Sequence, residues 1–387
     1  MEQHQIIKIY GTEYKEMTKK LLEEACLLER IPGKDCRIGI KPNLVAPTPA
    51  ELGATTHPEI VEGIVEYLQE NGFHNLTIAE GSWVGDRTSE SMEVCGYDAL
   101  AEKYGVRLVD AQKDTSFEKD CSGLKLRLCS CVNDFDFLIN VPVVKGHCQT
   151  KITCALKNMK GLLPNQEKRH FHAMGLHRPI AHLAVGIPQD FIVADHICGD
   201  LDFEDGGNPV VRNCIMAAAD PVLLDAYVCN LLHYDCSEVP YIQMAEQLGA
   251  GSADVSSAEV IAYRSRGSER EADGQKGIWE AVRLQGAEIW DEELPYANKV
   301  VAVRDVVEEV ESCSACYGYL LPALDRLREE GLLPKLQEKI CIGQGSRGKT
   351  GELGVGQCTA NFSFCIKGCP PTEEQIYEGL KNYILRA

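Results

Sequence analysis

Basic residues are scarce in this chain, which has 39 lysines and arginines against 58 aspartates and glutamates and a net charge of −19. Such a chain lacks the positive surface by which proteins bind nucleic acids or anionic membranes, so we exclude both as partners. No apolar run approaches the ~18 residues of a membrane span, and the polar residues 1–5 lack the apolar core of a signal peptide. We therefore expect a cytoplasmic protein.

Nucleotide-binding signatures are also missing. No Gly-x-Gly-x-x-Gly follows a strand pattern, and no Walker lysine motif is present. There is neither an internal repeat nor a low-complexity tract. These absences disfavour a nucleotide-dependent dehydrogenase and a repeat protein.

Cysteine, in contrast, is abundant, with 18 residues. Without a secretory segment, so many cysteines indicate a reducing compartment with unpaired thiols rather than disulfides. Such a composition also favours an anaerobic or low-oxygen cell, because oxygen damages both thiols and iron–sulfur clusters.

The last quarter of the chain combines cysteines with turn-forming residues. Cys313 and Cys316 form a Cys-x-x-Cys pair, Gly356 and Gln357 precede Cys358, and Gly368 precedes Cys369, which two prolines follow. Four thiolates are the usual ligands of a [4Fe–4S] cluster, and glycine turns offer amides to sulfur. We predict this cluster on the four cysteines Cys313, Cys316, Cys358 and Cys369, with Cys341 and Cys365 as reserves.

Two other interpretations of this region stay open. Zinc also accepts four cysteines, but its usual signature has two close Cys-x-x-Cys pairs, and here only one pair is close. The cysteines could also be unrelated structural thiols, as buried cysteines often are.

Strand and helix patterns alternate along the chain. This alternation predicts an α/β protein with a mostly parallel, doubly wound sheet and a second, smaller α/β domain that carries the cysteine cluster. We assign residues 1–263 to the main domain, 264–298 to a linker with one helix near 278–284, and 299–387 to the cluster domain.

Polar residues stand at the ends of three predicted strands, where α/β proteins keep their ligands. Lys41 and Asn43 end one strand, Glu80 ends the next, and Asp195 ends a later apolar strand. We predict all four as substrate-binding residues.

A basic stretch, 145–161, follows a buried strand directly. A helix from about Thr150 would place Lys151 and Asn158 on one face, with Lys157 and Lys160 as a neighbouring pair. In so acidic a chain this pattern favours an anion site that uses Lys151, Lys157 and Asn158, with Lys145 and His147 as the acid and base. The alternative is a solvated basic helix.

Four histidines follow between residues 165 and 182. No carboxylate or cysteine lies at tight ligand spacing with them, so a second metal is disfavoured. We predict substrate contact by His170 or His172, with His170 as the first choice, and surface histidines as the alternative.

The motifs Lys41-Pro-Asn43, Thr56-His-Pro58 and Glu80-Gly-Ser82 resemble those of the domain-of-unknown-function family 362. The stretch from Lys145 to Gly161, Asp195 with Gly199, and Ala219-Asp-Pro221 to Asp225 follow in the family order. The resemblance covers most of residues 36–262. It implies an uncharacterised, iron–sulfur-containing family, whose label carries no established reaction.

The C-terminal Gly-x-Cys and Gly-Cys-Pro-Pro runs look like those of cluster-carrying small subunits of respiratory complex I and nickel–iron hydrogenases. The match covers about a dozen residues and implies a cluster, not a shared function. The adjacent-cysteine pair of those subunits is absent here, and the Cys-x-x-Cys pair would replace it. The two-domain layout is also similar to that of nickel-dependent lactate racemases, which is a likeness of fold alone.

The sequence therefore predicts an iron–sulfur enzyme that performs redox chemistry on a small anionic substrate. A ferredoxin or flavodoxin is the candidate electron donor, and a homodimer is the candidate assembly. Two alternatives remain, a non-redox lyase or racemase that uses the cluster as a Lewis acid, and an electron-transfer protein. The redox interpretation predicts that the basic stretch and the cluster face the same cleft.

Overall fold

The computed structural model describes residues 1–266, 278–284, 299–312 and 314–386. Its strands are β1 (Gln5–Tyr10), β2 (Ile38–Pro42), β3 (Leu76–Glu80), β4 (Arg107–Asp110), β5 (Ser116–Cys121), β6 (Leu124–Cys129), β7 (Phe137–Val141), β8 (Lys145–His147), β9 (Lys151–Thr153), β10 (Phe191–Asp200), β11 (Pro209–Ala218), β12 (Glu259–Arg266), β13 (Ile278–Leu284), β14 (Val307–Glu309), β15 (Ile340–Ile342), β16 (Leu353–Val355) and β17 (Phe364–Ile366).

The α-helices are α1 (Tyr14–Glu24), α2 (Leu27–Arg30), α3 (Pro58–Glu70), α4 (Thr88–Val94), α5 (Tyr97–Tyr104), α6 (Ala155–Asn158), α7 (Asn165–Met174), α8 (His177–Gly186), α9 (Pro221–Leu231), α10 (Pro240–Gln247), α11 (Lys299–Val303), α12 (Ser314–Glu329) and α13 (Glu373–Arg386). None of the helices in the described ranges has the length and apolar character needed to cross a membrane.

The main sheet has nine strands in the order β13-β12-β1-β11-β10-β7-β2-β3-β4. Strands β12 and β1 are parallel, and so are the neighbours from β10 to β4. Strand β11 runs antiparallel to both of its neighbours, and β13 is antiparallel to β12. The expectation of a mostly parallel α/β sheet is confirmed.

Helices cover both faces of this sheet. The fully buried β10 shows why, since Ile192 and Ala194 belong to the core on one face while Val193 and Ile197 belong to the core on the other. Apolar side chains of α1, α3 and α5 pack on the second face, and those of α6, α8, α9 and α10 pack on the first. A strand that is apolar on both sides requires such two-sided cover.

A second sheet forms the smaller domain, with four parallel strands in the order β14-β15-β16-β17. Its core includes Leu320, Leu324 and Leu327 from α12 and Ile376 and Leu380 from α13. Since all four strands run the same way, their carboxyl ends share one edge, and the predicted cluster cysteines follow that edge in sequence.

Two sequence-based assignments of secondary structure are wrong. Residues 278–284 form β13 rather than a helix; Ile261 of β12 pairs there with Arg283. Residues 267–277 and 285–298 of the predicted linker lie outside the described ranges. The helix expected from Thr150 is instead the hairpin of β8 and β9, with α6 starting only at Ala155, because Lys151 has φ +67° and cannot continue a helix.

The loop after β10 joins the two domains. Phe203 from this loop is buried within the core of the small domain. Next to it, Asp202 accepts backbone hydrogen bonds from Lys299 (3.1 Å) and Val300 (3.2 Å) at the start of α11. The loop therefore fixes the small domain over the carboxyl end of the main sheet.

Candidate active site

A cavity of about 380 Å³ lies between the two domains. Its main-domain wall includes residues that follow β2 and β3 and residues around α6 and α7, and its other wall includes Gly318, Tyr319 and Pro322 of α12. The rings of Trp83 and Tyr319 meet across the domain boundary at 5.5 Å in an edge-to-face arrangement. Both domains thus contribute to one site.

Three lysines line the main-domain wall of the cavity. Lys157 Nζ forms an ion pair with Glu204 Oε1 at 2.9 Å. Lys168 Nζ donates to two backbone carbonyls, Gly81 (2.7 Å) and Ser82 (2.8 Å). Lys160 Nζ has neither an ion-pair nor a hydrogen-bond partner within the described part of the chain. The wall therefore offers cationic groups that no carboxylate neutralises.

Burial changes the proton affinity of these lysines. Desolvation, together with the neighbouring Lys157, lowers the pKa of Lys160 to about 7. Desolvation lowers the pKa of Lys168 to about 8. An ammonium group without a counter-ion in a cleft releases its proton near neutral pH, which suits an acid/base group or an anion site that titrates.

His147 lines the cavity, and its tautomer is fixed by the backbone. Its Nδ1 accepts hydrogen bonds from the amides of Gln149 (3.0 Å) and Thr150 (3.1 Å), so Nε2 carries the proton and faces Glu204 Oε2 at 3.2 Å. Burial, reinforced by Lys157, lowers the pKa of His147 to about 4. A ring in this state orients its neighbours but has no vacant nitrogen to accept a proton.

Glu204 is the carboxylate that contacts the basic side chains at this wall of the cavity. It contacts Lys157 and His147 and lies 3.7 Å from Lys145 Nζ. Burial opposes its ionisation, but these basic neighbours hold the pKa of Glu204 well below its usual range. Its backbone has φ +81°, a left-handed conformation that is uncommon for a residue with a side chain.

Lys41 and Glu80 form a buried ion pair at the wall of the cavity, which Glu80 and Asn158 line. Lys41 Nζ lies 2.5 Å from Glu80 Oε2 and 3.2 Å from Asn158 Oδ1, and Asn158 also donates to Asn140. Burial lowers the pKa of Lys41. This network brings together three predicted site residues, and it links the ends of β2 and β3 to α6.

Asn43 offers a further polar atom to the cavity. Its side chain is 6% exposed and lines the cavity, and its Oδ1 has no hydrogen-bond partner among the described residues. Buried polar atoms are seldom left unsatisfied, so this amide is available to a ligand.

The other predicted site residues lie elsewhere. Lys145 is fully buried below the cavity and donates to the carbonyl of Ala54 at 2.5 Å. Lys151 lies outside the cavity, 3.7 Å from Glu238. His170 is about half exposed beside Glu167, whereas His172 lines the cavity.

Asp195 pairs with His57 and not with the lysines of the cavity. Its Oδ2 accepts from the amide of His57 at 2.7 Å and contacts His57 Nδ1 at 2.8 Å, with both side chains buried. Burial lowers the pKa of His57, but Asp195 outweighs it, and the net shift is upward. Asp195 is not among the residues that line the cavity.

The predicted cluster cysteines follow the carboxyl edge of the small sheet. Cys316 lies in the first turn of α12, Cys358 follows β16, and Cys369 follows β17. The Cys316 thiol would lie 3.5 Å from a Cβ at Gly356, and the amide of Gln357 donates to Gly368 at 2.8 Å. The turns that carry these cysteines are therefore adjacent. Cys313 lies outside the described residues.

The reserve cysteines occupy different positions. Cys341 and Cys365 lie within β15 and β17, where the Cys341 thiol contacts Glu308 and the Cys365 thiol contacts Thr359 and Gly356. None of the cysteines that the structure describes is in a disulfide.

The chemistry of this edge fits an iron–sulfur cluster, because thiols are the usual ligands of such a cluster and here they stand on adjacent glycine turns. Gly356 has φ +89°, a conformation that glycine adopts readily. Among the described residues alone, however, no three metal-binding side chains are arranged to hold an ion. These side chains do not include Cys313, which lies outside the described residues.

The main-domain wall of the cavity falls within a recognisable segment of the chain. Residues 38–230 match the family described as Domain of unknown function (DUF362). The match supports the predicted family resemblance and includes Lys41, Glu80 and the basic stretch. The DUF362 segment ends before α12 and the C-terminal cysteines.

Relatives of the chain are distant. A thylakoid-associated protein of Synechocystis is 26% identical over 223 residues, which are 55% of this chain and 68% of that protein. The lactate racemase apoprotein of Thermoanaerobacterium thermosaccharolyticum is 17% identical, with a TM-score of 0.40, over 60% of this chain and 57% of that one.

A second solved structure, of a protein from Thermotoga maritima, is 13% identical, with a TM-score of 0.32, over 70% of this chain and 56% of that one. The aligned regions thus span little more than half of each solved chain. At these identities and TM-scores, the two structures give no information about the function of this chain.

Four residues that line the cavity are not among the site residues that the sequence predicts first. Lys160 belongs to the recognised basic stretch of the DUF362 segment, and His172 was the second choice after His170. Lys168 and Glu204 gave weaker signals, since Lys168 stands in a polar helix and Glu204 in an acidic loop. Their roles depend on contacts between elements far apart in sequence.

Proposed function

We propose that this protein is an iron–sulfur enzyme that performs redox chemistry on a small anionic substrate bound between its two domains. The observation that carries this proposal is the position of α12. This helix holds Cys316 in its first turn and, a few residues later, Gly318 and Tyr319, which face the lysines across the cavity. The arrangement supports the expectation that the basic stretch and the cluster face one cleft.

Lys160, Lys168 and Asn43 are the substrate-binding groups in this proposal. The first two provide positive charge without a carboxylate partner, and the buried Asn43 Oδ1 provides an acceptor. An anion placed beside Lys160 favours its charged form, because an opposite charge raises the pKa of an ammonium group.

Lys160 is also the proposed acid/base group, in place of Lys145 and His147. Lys145 lies below the cavity, and both ring nitrogens of His147 are engaged. The pKa of Lys160, about 7, lets its amine take or give a proton at neutral pH. The remaining lining side chains orient the anion and exclude water.

Cys313, Cys316, Cys358 and Cys369 are the proposed ligands of a [4Fe–4S] cluster. When bound, such a cluster supplies single electrons at a potential set by its surroundings. A ferredoxin or flavodoxin remains the proposed donor. The cytoplasm remains the proposed compartment, because a chain with 18 cysteines suits a reducing environment.

The test is anaerobic purification of the full chain, followed by iron, sulfide and zinc analysis and paramagnetic resonance of the reduced protein. We expect iron and sulfide in equal amounts and a cluster signal. We further expect an added carboxylate anion to change that signal in the wild type but not in Lys160→Met. Zinc without iron would overturn the cluster.

The same experiment separates the alternative functions. Direct coordination of the anion to iron, seen as hyperfine broadening from a 17O-labelled carboxylate, would favour the Lewis-acid lyase or racemase. A cluster that takes up electrons but shows no anion effect would favour an electron-transfer protein.

A further inference from the structure

Glu204 places a carboxylate of the protein itself at one end of the cavity. The contacts with Lys157 Nζ (2.9 Å) and His147 Nε2 (3.2 Å) are those that a bound anion would make. Thr153 Oγ also lies within 3.4 Å of Glu204 Oε1. This end of the cavity is therefore already occupied by a negative charge.

The loop that carries Glu204 is held in place on several sides. Asp200 Oδ1 accepts from the amides of Asp202 (2.8 Å) and Phe203 (2.9 Å). Gly146 leaves room for the loop, since a Cβ there would lie 2.2 Å from the carbonyl oxygen of Leu201. With Phe203 buried in the small-domain core, the left-handed backbone of Glu204 is held by its surroundings.

The lysines of the cavity therefore differ in their partners. Glu204 neutralises Lys157, and among the described residues it is the one carboxylate within 4 Å of a cavity-lining lysine. Lys160 and Lys168 line the same cavity without a carboxylate partner in the described ranges, and the cavity-lining Glu80 is already paired with Lys41. An anionic group is attracted to Lys160 and Lys168 and repelled from the position that Glu204 occupies.

We propose that Glu204 is a specificity-determining residue that restricts the cavity to substrates with one anionic end. The protein's own carboxylate fills the anion position at Lys157 and His147, and the substrate's anionic group binds at Lys160 and Lys168. A small monocarboxylate fits this pattern. A dicarboxylate whose second carboxylate reaches Lys157 and His147 meets the charge of Glu204. This inference rests on the proposed anion site.

The test compares two probes of equal carbon-chain length, butyrate with one carboxylate and succinate with two. Binding to the anaerobically purified holoprotein is measured by calorimetry at pH 6.5. The wild type should bind butyrate more tightly than succinate. Glu204→Gln should raise the ratio of succinate to butyrate affinity at least tenfold, because it replaces a like charge by an amide that the second carboxylate can approach.

Two further variants control for charge and folding. Asp205→Asn removes a neighbouring carboxylate that lines the cavity but contacts Thr48 rather than the lysines, and it should leave the ratio within threefold. Glu204→Asp keeps the charge and should stay close to the wild-type ratio. Thermal melting checks that each variant is folded.

The outcomes distinguish the two proposals. An unchanged ratio in folded Glu204→Gln, with butyrate binding still weakened in Lys160→Met, overturns the role of Glu204 and leaves the anion site standing. Failure of both probes to bind either the wild type or Glu204→Gln overturns the anion site and this inference together.

Discussion

Gly161 lies directly against the carboxylate of Glu80. A Cβ at position 161 would be 1.8 Å from Glu80 Oε1 and 2.6 Å from Lys41 Nζ. These distances leave no space for a methyl group. The glycine at the end of the basic stretch is therefore what allows α6 and the following turn to approach the buried ion pair.

Gly161→Ala should destabilise the protein, because the new methyl group displaces either the ion pair or the turn. We expect a loss of about 1–3 kcal/mol in the free energy of unfolding, the usual effect of overpacking a buried site. Denaturant unfolding measures it. Gly33→Ala is the matched control, since a Cβ at Gly33 would have no neighbouring atom within 4 Å and should change stability little.

The buried pair of Lys41 and Glu80 should depend on both partners. Glu80→Gln leaves the Lys41 ammonium buried without a counter-charge, and we expect a loss of roughly 3–5 kcal/mol. Lys41→Met combined with Glu80→Gln should recover part of that loss, which a double-mutant cycle measures by denaturant unfolding. If the loss of unfolding free energy in the double variant equals the sum of the losses in the two single variants, the two groups are not coupled.

An exposed pair provides the comparison. Arg37 and Asp136 also form an ion pair, at 2.7 Å, but both side chains are about half exposed. Water screens such a pair, so Asp136→Asn should leave the unfolding midpoint nearly unchanged.

His57 should titrate above its ordinary range in the folded protein. Burial alone lowers its pKa, but the contact with Asp195 reverses the direction. Because the folded pKa is raised, the stabilisation is fully present below the unfolded pKa, about 6.5, and is lost as pH rises through the folded value. Asp195→Asn should therefore cost most stability at pH 6 and progressively less at higher pH.

Histidine resonances test this assignment directly. The His57 ring signal should titrate above pH 6.5 in the wild type and below it in Asp195→Asn, where burial acts alone. His196, whose pKa burial lowers to about 3, should show no titration between pH 5 and 9 in either protein. A His57 midpoint that does not move in the variant would contradict the pairing.

Anion binding should weaken as pH rises past neutrality. Lys160 and Lys168, with pKa values of about 7 and 8, lose their protons in that range, whereas the carboxylate of butyrate stays ionised. Butyrate affinity measured by calorimetry should fall between pH 6 and 9. In Lys160→Met the affinity should be lower throughout, and the decline near pH 7 should disappear.

A lysine outside the cavity provides the control for this experiment. Lys151→Met removes a basic residue of the same stretch that contacts Glu238 instead. Its pH profile should match that of the wild type. A profile altered equally by both variants would point to general charge effects rather than to a site at Lys160.

The sequence predicted the strand ends of this site better than its helical part. Apolar runs mark β2 and β3, so the positions of Lys41 and Glu80 at the carboxyl edge followed from the pattern. The structure of the stretch after β7 is harder to predict from sequence. The hairpin of β8 and β9 depends on the left-handed backbone of Lys151, and a lysine gives no sequence signal for that conformation.

Glu204 illustrates a second limit of predicting the site from the sequence. Its carboxylate meets Lys157, 47 residues away in sequence, because Asp200 and Phe203 hold its loop against both domains. Acidic residues in a loop carry no local signal of such a contact. Periodicity therefore predicts which elements form, whereas the pairing of side chains across elements depends on packing that periodicity does not describe.

The cysteines should divide into two groups by their iron content. Cys358→Ser and Cys369→Ser remove thiols on the adjacent turns at the carboxyl edge, and each should lose most of the iron and sulfide after anaerobic purification. Cys341→Ser and Cys365→Ser change thiols within strands and should keep the wild-type iron content. Iron retained by Cys369→Ser but lost by Cys365→Ser would exchange the two assignments, because residue 365 would then be the ligand.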